Sequence, residues 1–417
     1  MVDIFYDSYN ILTKVYSEKA FIKQAMNDTQ IDEKNRSQIT KICYGVLDKD
    51  ITLSYYISCL CEKNPKLPVR TIMKIAMYNI KFLDRAPYAV VDNAVELLKK
   101  LGKGGMGGFL NAILRKFISA EIPLPKDKIK MLSIKYSYPE FAVKLLIGEY
   151  GEKKAENIMN ADTERTCVRF NLGVNGEKYL IDNRWNYEKT PFDNTFFVNG
   201  FKKNEDFDKG LLTFQSIGSV AVCDAVSGGN SLLDACAAPG GKSVNLCDKF
   251  GEVTSFELYE HRTKLITAYK MRMNKTNITE ICKDASLYDK NYNNKFDAVL
   301  CDTPCSGFGV IKDNPDIKLN REEKSIGELN AIQLNILNTC SKYVKEGGAL
   351  YYSTCSVFQL ENSRIIKKFL SANKNFEEVK IESKLSNAPM EYGLQFLPDL
   401  SFGAGFYICK LIKKEGN

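Results

Sequence analysis

The apolar residues of this chain keep two different periods, and the change from one to the other fixes what it can fold into. Through about the first 120 residues they recur at three- and four-residue spacing, in Tyr9–Val15, Ile39–Leu47, Thr71–Phe82, Val90–Leu98 and Phe109–Phe117. That spacing lines one face of a helix and predicts an all-helical opening segment. From about Leu211 short apolar runs alternate with helical stretches, as in a doubly wound α/β sheet. The predicted strands are Ser231–Ala235, Val253–Leu258, Ile278–Cys282, Phe296–Cys301, Ala349–Tyr352, Phe376–Ile381 and Phe406–Leu411. The last two are joined by a long loop, not a clear helix, and are expected to pair antiparallel and close the sheet.

Between these regions, Glu121-Ile122-Pro123-Leu124-Pro125-Lys126 breaks helix propagation and marks a boundary. Helical pieces follow at Glu140–Tyr150 and Lys153–Met159, with Pro139 where a helix start tolerates it. Val168–Asn171 and Thr195–Val198 read as strands. The expected fold class is therefore α/β in three parts: a helical domain at 1–125, linker helices and a small α+β connector at 126–210, and a seven-stranded open-sheet domain at 211–417. Asp92 and Asn93 are expected to cap the start of one helix, with Gly102 following its end. The glycine-rich stretch Gly102–Gly108 lacks a Gly-Lys-Ser/Thr ending and no strand precedes it, so it reads as an interhelical turn.

Composition narrows the function classes. The apolar fraction of 44% is enough for real cores, and 417 residues imply more than one domain. No run of about 18 apolar residues occurs, so no membrane span is expected. The start, MVDIFYDSYN, lacks a signal-peptide layout, and a cytoplasmic location is the expectation. The 13 cysteines are odd in number and many lie inside apolar runs, which favours reduced, buried thiols over disulfides. His261 is the single histidine and no paired Cys-x-x-Cys occurs, so no metal site is expected. The same count removes Ser-His-Asp and Cys-His machinery unless His261 serves it. Residues 1–130 hold 21 Lys+Arg against 14 Asp+Glu, whereas the rest hold 37 of each. A basic module on a neutral body suggests contact with a polyanion, RNA or DNA first. A solvated basic face, or one that meets protein, remains the alternative.

Two cysteines stand where an open sheet places reactive groups. Cys305, in Asp302-Thr303-Pro304-Cys305-Ser306, and Cys355, in Ser353-Thr354-Cys355-Ser356, each sit in a small-residue turn just past a predicted strand. Either is a candidate nucleophile. The first strand of the sheet ends in Asp234-Ala235-Cys236-Ala237-Ala238-Pro239-Gly240-Gly241-Lys242-Ser243, where the glycines permit a tight turn and close approach of a ligand to backbone. Glu257 ends the next strand, where a carboxylate binds vicinal ribose hydroxyls, and Asp284 follows the third, where an acid meets the amino group of an adenine. Together the three predict an adenosine-containing cofactor. Singly, each acid also fits strand-end solvation or capping.

These residues carry a family resemblance. Asp-Ala-Cys-Ala-Ala-Pro-Gly-Gly-Lys at 234–242 resembles the S-adenosyl-L-methionine loop of RNA cytosine-5 methyltransferases. Asp302–Gly307 with Asn314-Pro315-Asp316-Ile317-Lys318 resembles that family's second motif, and Tyr352–Ser356 with Glu361-Asn362 its third. Tyr44-Gly45-Val46-Leu47 and Asn111–Lys116 make the basic start similar to the NusB domain. The combination resembles the branch acting on 16S rRNA of the small subunit.

The resemblance implies a Rossmann-like class I methyltransferase domain behind a NusB-like RNA-binding domain, in a cytoplasmic monomer serving rRNA processing without membrane or metal. It further implies Cys355 as nucleophile toward carbon 6 of cytosine, Cys305 as the group that helps break down the adduct, and Asp302 as the hydrogen-bond partner of the base. Cofactor contacts implied are Cys236, Ala237, Ala238, Pro239, Gly240, Gly241, Lys242, Glu257, Asp284 and Asp302. DNA cytosine-5 methyltransferases use the Pro-Cys cysteine instead, which would select Cys305; the Thr-Cys-Ser cysteine favours the RNA type. Two segments depart from the family. Thr213–Ser219 lacks the acids of the usual Gln-Asp-Glu-Ala-Ser, and Asp313–Asp316 has one fewer basic residue before it, which weakens the case for RNA contacts there. A tRNA or another rRNA site as substrate, or a non-catalytic RNA-binding assembly factor, are the competing readings.

Overall fold

The computed structural model describes residues 2–162 and 165–415, so the outer limits of the expected domains, residues 1 and 417, lie outside it. The chain divides into two compact units. One comprises the chain up to Asn160 together with Ile311–Glu322, and the other Ala161–Val310 with Glu323 onward.

The first unit is helical, as the periodicity predicts. Its helices are Val2–Glu18, Ile22–Asn27, Glu33–Asp48, Asp50–Leu60, Leu67–Lys81, Pro87–Lys100 and Gly107–Ser119, followed by Lys128–Tyr136, Glu140–Tyr150 and Glu152–Asn160. Leu67–Lys81 is the central helix. Ile72, Met73, Ile75, Ala76 and Met77 have no solvent exposure, so apolar residues cover more of its surface than a single stripe. Gly45 lets the helix Glu33–Asp48 approach it, because a Cβ there would lie 1.9 Å from the Tyr78 hydroxyl. The expected cap at Asp92 and Asn93 is corrected. That helix begins after Ala86 with Pro87 in its first turn, and Asp92 and Asn93 lie inside it. Pro87 presets the backbone angle and sacrifices no hydrogen bond there, so the start lies earlier than the polar pair suggests. Gly102 does follow the end, at φ +68°.

The segment Ile311–Glu322 is packed with the helices although its chain neighbours lie in the other unit. Leu319 packs on the helical core. The Lys318 side chain has no exposure, and its Nζ donates to Asp48 O at 2.6 Å and Asp48 Oδ1 at 2.8 Å. Burial pulls the Lys318 ammonium down to about 8 against the pull of Asp48. Asp48 is held well below the usual carboxylate range, its own burial outweighed by Lys318 and neighbouring lysines. A buried ammonium stripped of its partner is expensive. Asp48→Ala is expected to destabilise the full chain by about 3 kcal/mol or more in urea unfolding, against less than about 0.5 kcal/mol for an exposed pair such as Lys178–Asp182.

In the second unit, strands β1 (Cys167–Phe170), β2 (Tyr187–Lys189), β3 (Thr195–Val198) and β4 (Leu212–Phe214) form an antiparallel sheet in the order β2-β3-β1-β4. Aromatic residues fill it, among them Phe170, Phe196, Phe207 and Phe214. The larger sheet holds β5 (Gly229–Asp234), β6 (Phe250–Glu257), β7 (Ile278–Cys282), β8 (Phe296–Asp302), β9 (Val344–Thr354), β10 (Phe376–Val379), β11 (Ala388–Pro389), β12 (Leu394–Phe396) and β13 (Phe406–Lys413). All seven predicted strands are present. The hairpin β11–β12 adds to them; at two and three residues its strands are too short to show alternation.

The order is β11-β12-β13-β9-β8-β5-β6-β7, with β10 on β13. Strands β5 to β9 are mutually parallel, and β13 runs antiparallel against β9 and β10. The chain leaves β5 toward β6 and β7, then returns to its other side with β8 and β9. That reversal opens a crevice beyond the carboxyl ends of β5 and β8, where open α/β sheets bind ligands.

Candidate active site

Every predicted site residue lies at or just beyond the carboxyl end of a strand from β5 to β9. Register sets them side by side: Asp234 opposes Leu300 and Ser255, Asp302 opposes Ser353, and Glu257 opposes Cys282.

The loop after β5 is fixed from several sides. The Ala235 N–H donates to Leu300 O and the Ala237 N–H to Phe256 O, each at 2.9 Å. The Ala238–Pro239 bond is cis, and Gly240 has φ +105° before the short helix Gly241–Leu246. A Cβ at Gly240 would also crowd Ile266 at 3.3 Å, so shape and backbone both require glycine. Beneath the loop, Ser255 Oγ donates to Ser243 Oγ at 2.9 Å and Ser243 Oγ donates to Asp234 Oδ2 at 2.6 Å. Burial raises Asp234 to about 6. Burial also pushes the Cys236 thiol well up, with Cys340 and nearby carboxylates adding to it.

Glu257 is 4% exposed at the end of β6. Its Oε1 receives the Tyr259 N–H at 3.3 Å and lies 3.4 Å from Arg262, while Oε2 has no protein hydrogen bond among the described residues. A carboxylate held on one oxygen and open on the other fits a ribose diol. Asp284 is half-buried, and its Oδ1 accepts the Ser286 N–H at 2.8 Å, which closes the turn after β7. Those residues, with the glycine loop, suit an adenosine cofactor.

Lys242, in the first turn of the helix Gly241–Leu246, is paired with a carboxylate of the site. Its half-buried Nζ donates to Asp302 Oδ2 at 2.6 Å, and Ser353 Oγ donates to Asp302 Oδ1 at 2.7 Å. Burial pulls the lysine down, but the charge and hydrogen bond of Asp302 more than offset this and hold it above its ordinary value. Asp302 thus links the glycine loop to β9.

The two cysteines meet. Cys305 Sγ and Cys355 Sγ are 3.2 Å apart, in the loops after β8 and β9. The hydrogen bond with Cys355, then burial, raise the Cys305 thiol well above its ordinary value. The Cys355 loop is held from behind by a glycine crossing: the Gly309 N–H donates to Cys355 O and the Gly405 N–H to Gly309 O, each at 2.9 Å. A Cβ on Gly309 would lie 2.0 Å from Gly405 O.

Sequence reasoning passed over Arg262, Ser353, Gly309 and Gly405. Ser353 stood in a quoted motif without a role; Arg262 and the glycine crossing carry no local signal. The Thr213–Ser219 segment is structural. Gln215 accepts from Arg169 Nε at 2.8 Å and Asn245 Nδ2 at 3.0 Å, joining the small sheet to the glycine-loop helix. Asp316 and Lys318, in the tail of the second motif, are buried among the helices.

Comparison with known proteins agrees with this arrangement. Residues 223–412 match the family described as 16S rRNA methyltransferase RsmB/F, and residues 2–119 match the NusB family. A probable ribosomal RNA small subunit methyltransferase B from Bacillus subtilis (strain 168) is 30% identical, over 94% of this chain and 94% of its own. Ribosomal RNA small subunit methyltransferase B from Escherichia coli (strain SMS-3-5 / SECEC) is 27% identical, with 92% of each chain covered. The crystal structure of PH0851 superposes with a TM-score of 0.83 at 22% identity, over 99% of this chain and 98% of that one. NSun6 from Pyrococcus horikoshii with SFG gives 0.60 at 17% identity, over 67% of this chain and all of that one, 100%. At those identities the two structures speak to the fold. Among the described residues no helix is long and apolar enough to cross a membrane.

Proposed function

The chain belongs to the RsmB/F family of ribosomal RNA small subunit methyltransferases, and from that premise we propose that it methylates carbon 5 of a cytosine in 16S rRNA through a covalent adduct. The observation that carries the reading is the thiol pair, 3.2 Å apart, beside an Asp302 that is bonded to the cofactor-type loop. Carbon 5 of cytosine is a poor nucleophile until a group adds to carbon 6, and a thiolate is the side chain suited to that addition. S-adenosyl-L-methionine, held by 236–242, Glu257, Asp284 and Asp302, supplies a methyl group already activated on sulfonium.

Cys355 makes the bond to carbon 6. Cys355 reacts as the thiolate, its proton passing to solvent, and Cys305, the sulfur in contact with it and deprotonated in turn, is the base of the later step. Asp302, fixed by Lys242 and Ser353, faces the base and stabilises the charge that addition develops on the ring. Once carbon 5 is methylated, loss of its proton with help from Cys305 expels the Cys355 sulfur and restores the ring. The surplus of exposed basic residues in the first 130 is assigned to phosphate contacts.

Bisulfite sequencing of total RNA from a deletion strain tests the substrate. One unconverted cytosine in 16S rRNA should become convertible, and the purified chain with S-adenosyl-L-methionine should restore it. An unchanged 16S rRNA with a cytosine lost elsewhere would assign the activity to tRNA or another rRNA site.

A further inference from the structure

Glu361 has no solvent exposure, a costly place for a carboxylate whose hydrogen-bond partners are all neutral. It ends the short turn Gln359–Glu361 behind the two cysteine loops. Its Oε1 accepts the Ser306 backbone N–H at 2.8 Å and Gln333 Nε2 at 3.1 Å. Its Oε2 accepts Ser306 Oγ at 2.5 Å and Ser356 Oγ at 2.6 Å. Ser306 follows Cys305 and Ser356 follows Cys355, so one side chain is bonded to the residue after each thiol. Gln333 also donates to Pro304 O at 3.0 Å, which carries the brace to the residue before Cys305.

The anchor itself is fixed. Tyr352 donates its hydroxyl to Glu361 O at 2.6 Å, and the neighbouring Asn362 is bonded to Thr354 Oγ1 at 2.6 Å and Ser356 O at 3.0 Å. A carboxylate presents about four acceptor positions and no donor. Here four donors from three directions fill them. Glutamine keeps the shape but turns one oxygen into a donor, which then faces either the Ser306 N–H or a pair of hydroxyls.

We propose that Glu361 is a positioning residue for the reaction, setting the separation of the Cys305 and Cys355 sulfurs by cross-bracing the loops that carry them. The inference rests on the functional reading of those sulfurs, but the brace can be tested without cofactor or RNA. Diamide takes two electrons and two protons from two thiols in contact, leaving a disulfide and the hydrazine form of the reagent. On the full-length wild-type chain it should join Cys305 to Cys355, identified by peptide mass spectrometry. In Glu361→Gln that bond should form roughly tenfold more slowly and kcat for methyl transfer should fall about 10²-fold, the scale of a displacement of about 1 Å. KM for S-adenosyl-L-methionine should move by less than about twofold. Ser306→Ala, which removes one hydroxyl, should shift both rates in the same direction by less, and serves if the glutamine variant melts early. Wild-type rates of disulfide formation in both variants overturn the proposal whatever methylation shows. Slowed disulfide formation in the variants, together with a wild-type chain that leaves cytosine unmethylated, supports the brace and overturns the functional reading.

Discussion

Cys355→Ala is expected to abolish methyl transfer, a loss of roughly 10⁴-fold or more, and with it every trace of covalent protein–RNA complex. The expectation follows from the chemistry of the ring. Without a sulfur on carbon 6, carbon 5 stays too weak a nucleophile, and no other group nearby can replace the lost addition. Cys305 lies 3.2 Å from the missing sulfur, in the loop after the neighbouring strand, and is assigned to the later proton removal. Cofactor affinity should stay near wild type, because the glycine loop, Glu257 and Asp284 are untouched. Radiolabelled methyl incorporation, a denaturing gel for the adduct and calorimetry with S-adenosyl-L-methionine read the three quantities.

Cys305→Ala should behave in the opposite way. Addition and methylation proceed, but the group that helps remove the carbon 5 proton is gone, and elimination stalls. Turnover should drop by about 10²- to 10⁴-fold, the range of a lost general base, while a covalent complex with RNA accumulates toward one per chain. The pair of variants separates the two assignments. A complex trapped by Cys355→Ala and absent from Cys305→Ala would reverse the roles and place this chain with the Pro-Cys type of chemistry.

Local pattern made the strands legible, and strand ends are where an open sheet works, so Cys236–Lys242, Glu257, Asp284, Asp302, Cys305 and Cys355 could all be placed from the sequence. What joins them could not. The contact of Cys305 with Cys355 depends on β8 and β9 being neighbours and on Gly309 crossing Gly405, which spans a long separation in the chain. Glu361 was visible as part of a motif, yet its four bonds come from Ser306, Ser356 and Gln333 on three different elements. Asp92 and Asn93 misled for a simpler reason. Their side chains suit a helix start, but Pro87 fixed the start a turn earlier. Lys242, expected as a cofactor contact, also carries an ion pair to Asp302 that no local pattern announces.

The excursion of residues 311–322 into the helical unit has an evolutionary cost. Genes built from separable modules exchange parts freely, because each part keeps its own interior when cut away. Here the catalytic stretch carries Lys318, whose acceptor Asp48 lies near the other end of the chain. A recombinant joining residues 211–417 to a foreign leader would inherit an ammonium built for burial and a Leu319 with no core to cover it. Ancestry of the two parts is therefore tied together: the helix Glu33–Asp48 and the segment that follows the Cys305 loop must be inherited as one.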